Sequence, residues 1–205
     1  MTSIHRVRLA ECLPQPWRNG SGLTRELLRW PLRPLAARAD AADSDWTLRI
    51  SVAEIGRDGP FSPFPGVERW FAVLQGHGVQ LALPQGERRL APGDAPLSFA
   101  GEAAPGCRLV DGPTQDLNLM QRRGCGRSRM WCVQAGSTVE GPTRWRGLYA
   151  HGRQRIVIGG EAQVVEAGTL LWSDEPGAWP WRTTPAGGEG HEGHAGHAYW
   201  MELRA

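Results

Sequence analysis

A chain of 205 residues has room for one or two domains with a real core, and its 23 basic against 21 acidic residues give no charge excess that calls for nucleic acid or an acidic membrane. Every basic residue is arginine, so lysine Schiff-base chemistry and a phosphate-binding P-loop are excluded. The four cysteines form no C-x-x-C pair, the N-terminus has no signal-peptide core, and no apolar run nears the ~18 residues of a membrane span, which together predict a reduced, cytoplasmic protein.

In chain order, Ile4 to Leu9 alternates as a short strand. Trp17-Arg18-Asn19-Gly20-Ser21-Gly22 is a turn-rich loop that becomes extended through Leu23-Thr24-Arg25-Glu26 and leads into a strand at Leu27 and Leu28. Pro31 to Asp43, rich in Ala, Arg and Pro, reads as an exposed connection. Trp46 to Ala53 is the cleanest alternation in the chain. Trp46, Leu48, Ile50 and Val52 share one face, while Thr47, Arg49 and Ser51 share the other, so this strand has a polar second face.

Asp58-Gly59-Pro60 then turns into Phe61-Ser62-Pro63-Phe64-Pro65-Gly66, an apolar strand through Val73 and Leu74, and the glycine-rich turn Gln75-Gly76-His77-Gly78. Leu90-Ala91-Pro92-Gly93-Asp94 with Leu97 and Phe99 supplies a return strand. Cys107 to Val110 and Asp116 to Met120 are two further strands around Asp111-Gly112-Pro113. Beyond Arg123 a faint repeat begins at an offset of about 75 residues, matching Leu81 to Ile156, Leu90 to Val165, Gly93 to Gly168 and Leu97 to Trp172. Residues 187–197 are low-complexity loop containing His191, His194 and His197, and Tyr199 to Leu203 closes as a strand. No window of a dozen residues holds a 3.6-residue apolar period free of proline and glycine, so the fold class is all-β.

The hairpin around Val73-Leu74-Gln75-Gly76 and the Pro92-Gly93-Asp94 turn resemble the two sequence motifs of a cupin. Metal-binding cupins carry His-x-His-x-x-x-Glu before that hairpin and a further His after the second turn. Here those positions hold Pro63, Pro65, Arg69 and, near the fourth, Ala104. None can ligate a cation, and a guanidinium repels one, so the site favours an anion and no metal or other cofactor is expected.

Taken together, Trp17 to Glu26, Asp45 to Ala53, Asp58 to Arg69 and Asp116 to Arg123 resemble, in order and spacing, the HutD/Ves family of bacterial proteins. The resemblance implies a bicupin, two cupin-like β-barrels or jelly rolls in one compact chain. It would divide into residues 1–123, with a leading loop, and a degenerate half at 124–205, the N-terminal strand crossing over. The resemblance also implies association with histidine utilization in HutD members and with stress in Ves members. Ser21 departs from the family, which usually has a third glycine there. That matters only if the backbone requires positive φ.

The expected ligand-binding residues are Trp17, Asn19, Thr24, Glu26, Arg49, Ser51, Arg69 and Asn118. The arginines would grip a carboxylate by charge-assisted bonds, or else be closed by Glu26, Glu54 or Asp116. Thr24, Ser51 and Asn118 would serve an amide or imine, and Trp17 and Asn19 would cap the mouth. The His191/His194/His197 spacing sits among glycines, which argues against a preformed metal site.

No catalytic residue is assigned. The leading expectation is a metal-free bicupin that binds a small anionic metabolite, such as a formyl- or formimino-amino acid, and acts as a sensor or modulator of catabolism or stress response. No nucleic acid and no membrane are expected as partners, and assembly into a homodimer is left open. The alternatives are a metal-independent cupin lyase, isomerase or hydrolase using Glu26 or Asp116 as general base, and a metal-dependent cupin with unrecognised ligands.

Overall fold

The structure is a computed structural model that describes residues 3–17, 19–31, 46–175, 177, 179–184 and 197–205. Most of the connection expected over Pro31 to Asp43, and the low-complexity tract as far as Gly196, lie outside the described residues.

The chain runs β1 (His5–Arg8), β2 (Pro14–Pro16), β3 (Gly22–Trp30), β4 (Leu48–Ile55), β5 (Gly59–Pro60), β6 (Val67–Gln75), β7 (Val79–Leu83), β8 (Gly86–Leu90), β9 (Leu97–Ala100), β10 (Gly106–Leu109) and β11 (Thr114–Arg122). It continues with β12 (Arg127–Cys132), β13 (Thr138–Val139), β14 (Trp145–Ala150), β15 (Gln154–Ile158), β16 (Glu161–Val165), β17 (Thr169–Ser173), β18 (Trp181–Thr184) and β19 (Ala198–Arg204). Among the described residues the only helical elements are 3-10 turns at Leu9–Glu11 and Gly101–Ala103, and no helix is long and apolar enough to cross a membrane.

Two compact units result. One holds Cys12–Cys125; the other holds Gly126–Ala205 together with the chain up to Glu11, because β1 pairs antiparallel with β17. The first unit sets the sheet β2-β3-β4-β11-β6-β9 against β5-β10-β7-β8. Between them lies a core in which Ile55, Phe71, Val73 and Phe99 from one sheet meet Val79, Leu81, Leu90 and Cys107 from the other. The second unit builds its core the same way, with Leu148, Ala150, Leu171 and Trp200 facing Val139, Ile156, Ile158, Val165 and Trp181. The sheets stay open, so each unit is a jelly-roll sandwich rather than a closed barrel.

The internal repeat is plain in the topology. Adding eight to each strand of β5-β10-β7-β8 gives β13-β18-β15-β16, and adding eight to β4-β11-β6-β9 gives β12-β19-β14-β17. Gly93 and Gly168 both take the positive φ of the shared turn, at 91° and 71°. The matched positions Leu81, Leu90, Ile156 and Val165 are all buried. Trp172 is buried as well, but on the other face. Leu171 belongs to the inner core, so alternation turns Trp172 to the opposite face, where it stacks on His5 at 4.2 Å and Trp145 at 6.3 Å. The constant offset thus slips by one residue in β17.

Trp181 and Trp200 are core residues. Trp179 is not: it is 47% exposed, with its ring against Gly159 in the β15–β16 turn.

Candidate functional site

Three rungs of side chains cross the inner face of the first unit's larger sheet. The register aligns Arg29, Arg49, Met120, Arg69 and Phe99 across β3, β4, β11, β6 and β9. The next rung holds Glu26, Ser51, Asn118, Phe71 and Leu97, and the third holds Thr24, Ala53, Asp116 and Val73. A period of two puts these residues on one face while Leu48, Ile50 and Val52 take the other, the polarity read from the alternation of β4. Arg49 and Arg69 flank Met120, two strand spacings or about 10 Å apart at Cα.

This face opens into a cavity of about 550 Å³, an ordinary size for a small-molecule site. Trp17, Asn19, Thr24, Arg49, Ser51, Arg69 and Asn118 line it, joined by Phe61, Phe64 and Met120. Glu26 does not line it. Its two carboxylate oxygens accept from Arg49 Nε and Arg29 Nε, each at 2.7 Å, so its place is behind Arg49 as a holding group. The alternative base Asp116 is also absent from the lining. It is 1% exposed and lies behind Asn118.

Arg69 is the centre of the site. It is 7% exposed, and both Nε and Nη2 donate to Asn118 Oδ1, at 2.8 and 2.6 Å. Its guanidinium lies 4.2 Å over the Phe61 ring, with Phe99 at 5.5 Å and Phe71 at 5.8 Å, a cation–π enclosure. The sequence reading required a carboxylate on each buried arginine. Arg49 has one in Glu26, and Arg25 has one in Glu54 at 2.5 Å. Arg69 has none within ion-pair distance among the described residues. An amide oxygen and aromatic faces take that role, and Asn118 Nδ2 passes the polarity on to Asp116 Oδ1 at 2.6 Å.

Burial pulls the Arg69 pKa down to about 10, with Asp116 pushing it back up, so the cation persists at neutral pH. Burial also raises the Asp116 carboxyl to about 7, against the pull of Arg69 and the Asn118 bond. It pushes the Cys107 thiol up to about 12, so Cys107 is a core residue and no nucleophile.

The loop that brings Trp17 and Asn19 to the cavity wall is held by its own bonds. Trp17 Nε1 donates to Thr24 Oγ1 at 2.8 Å, and Asn19 Oδ1 accepts from the Ser21 backbone N–H at 3.1 Å and from the Ser21 hydroxyl at 2.7 Å. Gly20 takes φ 65°, whereas Ser21 is not among the positive-φ residues, so the departure from glycine there costs nothing in backbone strain. Gly22 is required for space. A Cβ there would lie 2.3 Å from the Glu54 carbonyl oxygen and 3.1 Å from the Trp17 ring. Gly22→Ala is therefore expected to lower stability by about 1–3 kcal/mol, seen as a lower denaturant midpoint with unchanged slope.

The positions where cupins place metal ligands do not fit a cation. Pro63 and Arg69 line the cavity without a ligating group, and Ala104 sits in a left-handed turn at φ 37°. Among the described residues no three His, Cys, Asp or Glu side chains converge.

Sequence reasoning missed the aromatic wall. Phe61 and Phe64 belong to the proline-rich stretch before β6, where no strand periodicity marks their direction. Phe99 faces Arg69 only through the β6–β9 register. Met120 was in phase with Asn118 and could have been found by that signal.

Residues 10–188 match the HutD family model. The chain belongs to the HutD family.

Among the relatives of this HutD-family chain, an uncharacterised 21.2 kDa protein in the hutC 3′ region of Pseudomonas putida is 34% identical over 132 residues. That match covers 63% of this chain and 64% of the other, just under two thirds of its length. Protein Ves of Citrobacter koseri is 31% identical over 164 residues, covering 80% of this chain and 76% of the other. The structure of HutD from Pseudomonas fluorescens SBW25, in a formate condition, superposes with a TM-score of 0.79 at 25% identity over 98% of each chain. A cupin 2 conserved barrel domain protein from Leptotrichia buccalis gives a TM-score of 0.54 at 9% identity over 98% of this chain and 96% of the other, a likeness of fold alone. The HutD family and the cupin jelly roll thus meet in one chain.

Proposed function

We propose that this HutD-family bicupin binds a small carboxylate-bearing metabolite in the Arg49–Arg69 cavity and acts as a cytoplasmic sensor or modulator of catabolism. The observation that carries this reading is Arg69 itself. Among the described residues it is a buried guanidinium with no carboxylate partner, and its Nη1 makes no hydrogen bond, while the cavity it lines has two arginines and no acidic side chain. A ligand carboxylate supplies the missing countercharge, and a charge-assisted contact of this kind contributes about 1.5–3 kcal/mol. Ser51, Thr24 and Asn118 offer the neutral donors and acceptors that a formyl or formimino group needs.

The choice of metabolite class leans on the relatives: one is encoded in a hutC 3′ region and another is named HutD, which favours an intermediate of histidine utilization. The test compares each N-formyl or formimino amino acid with the same molecule carrying a carboxamide in place of its carboxylate. The acid is expected to raise the melting temperature of the protein, since a ligand that binds only the folded state stabilises it by mass action, and the amide is expected to leave it unchanged. Equal shifts for acid and amide would remove the guanidinium from the recognition.

A further inference from the structure

We infer that an anion seated on Arg69 is taken up together with a proton on Asp116, through the amide of Asn118. This rests on the reading of the cavity as an anion site and adds to it a second, buried partner that never touches the ligand.

The geometry is a chain of three side chains. Asp116 Oδ1 accepts from Asn118 Nδ2 at 2.6 Å, and Asn118 Oδ1 accepts twice from Arg69, at 2.8 and 2.6 Å. Asp116 Oδ2 is buried and has no hydrogen-bond partner among the described residues. The neighbours offer little other compensation. On β4 and β6 the register partners of Asp116 are Ala53 and Val73, neither charged. From β10 the Cys107 thiol, pushed up to about 12, stays neutral. Asp58 acts on Cys107, and Arg49 from β4 acts on Arg69. Arg69 is thus the cation on which an ionised Asp116 depends.

A carboxylate that binds Arg69 neutralises that cation and brings a second negative charge toward Asp116. The buried carboxylate loses its compensation, and taking up a proton is the response that removes the cost. With the free carboxyl already raised to about 7, the response falls in the physiological range. Linkage makes the effect reciprocal: the factor by which the anion favours the proton is the factor by which the proton favours the anion. Anion affinity therefore rises as pH falls through neutrality. It falls as Asp116 ionises and Arg69 regains an internal countercharge.

The experiment follows the Asp116 side-chain carboxyl by carbon NMR across pH, without and with saturating formate, the smallest carboxylate probe and one that stays ionised throughout. The expected result is an upward move of the Asp116 midpoint by about one pH unit, with formate affinity about tenfold weaker near pH 8.5 than near pH 6. Asp116→Asn is expected to bind formate with no pH dependence over that range. Formate that perturbs Arg69 and Asn118 while leaving the Asp116 midpoint in place overturns the coupling and spares the anion site. Absence of any perturbation at Arg69 or Asn118 at every pH overturns the anion site itself.

Discussion

Arg69→Met is expected to weaken binding of small carboxylates by about 10- to 100-fold, the equivalent of losing one charge-assisted contact of about 1.5–3 kcal/mol. The flexible thioether fills part of the volume between Phe61 and Phe99, so the loss is one of charge more than of shape. Arg69→Lys is expected to recover little. An ammonium cannot reproduce the fork that puts Nε and Nη2 on one amide oxygen, nor spread over the Phe61 ring as a plane. Calorimetric titration of both variants with the tightest acid of a panel measures the effect, and a denaturant melt of each shows that the fold persists. Wild-type affinity in Arg69→Met would mean that Arg49, or no arginine, holds the ligand.

The largest stability loss is expected in the second unit, from Glu202→Leu. Arg146 is fully buried, and Glu202 Oε1 accepts from its Nε at 2.9 Å and its Nη2 at 2.7 Å. Its remaining bond is from Nη2 to the Gly141 carbonyl at 3.1 Å, and Nη1 has no partner among the described residues. Removing the carboxylate strands a cation in the interior, a loss of about 3–5 kcal/mol. Arg146→Met combined with Glu202→Leu is expected to restore most of it, because the pair stabilises far less than the broken pair destabilises. Chemical denaturation of the two single variants and the double variant measures the coupling. Simple additivity would show that the two residues do not act as a pair.

How far the sequence foretells this site depends on the kind of signal each residue carries. Arg49 and Ser51 are legible because strand alternation assigns a face from residue order alone, and Arg69 and Asn118 because they keep step with apolar neighbours. Alternation cannot say which strands lie side by side. The rung that joins Arg49 to Arg69 through Met120 therefore emerges only with the β4-β11-β6 order. Glu26 closes Arg49, one of the alternatives the sequence leaves open; a bulge in β3 between Glu26 and Leu28 sets its position, and bulges leave little trace in composition. The jelly-roll class is legible because the hairpin turns need glycine at positive φ. The slip at Trp172 is not, since an apolar residue satisfies the repeat on either face.

The shift of eight in strand numbering means that the chain contains its own reference experiment. On β14 and β19 of the second sandwich a buried guanidinium is already clasped by a carboxylate, that of Glu202. On the corresponding strands of the first, β6 and β11, the guanidinium meets among the described residues no carboxylate, but the amide of Asn118 and aromatic rings. One copy is closed by a carboxylate the chain supplies, while in the other, on the proposed reading, a guest would take the same chemical role. On that reading a tandem fold would tolerate the division, because the second sandwich has a core of its own that needs no visitor.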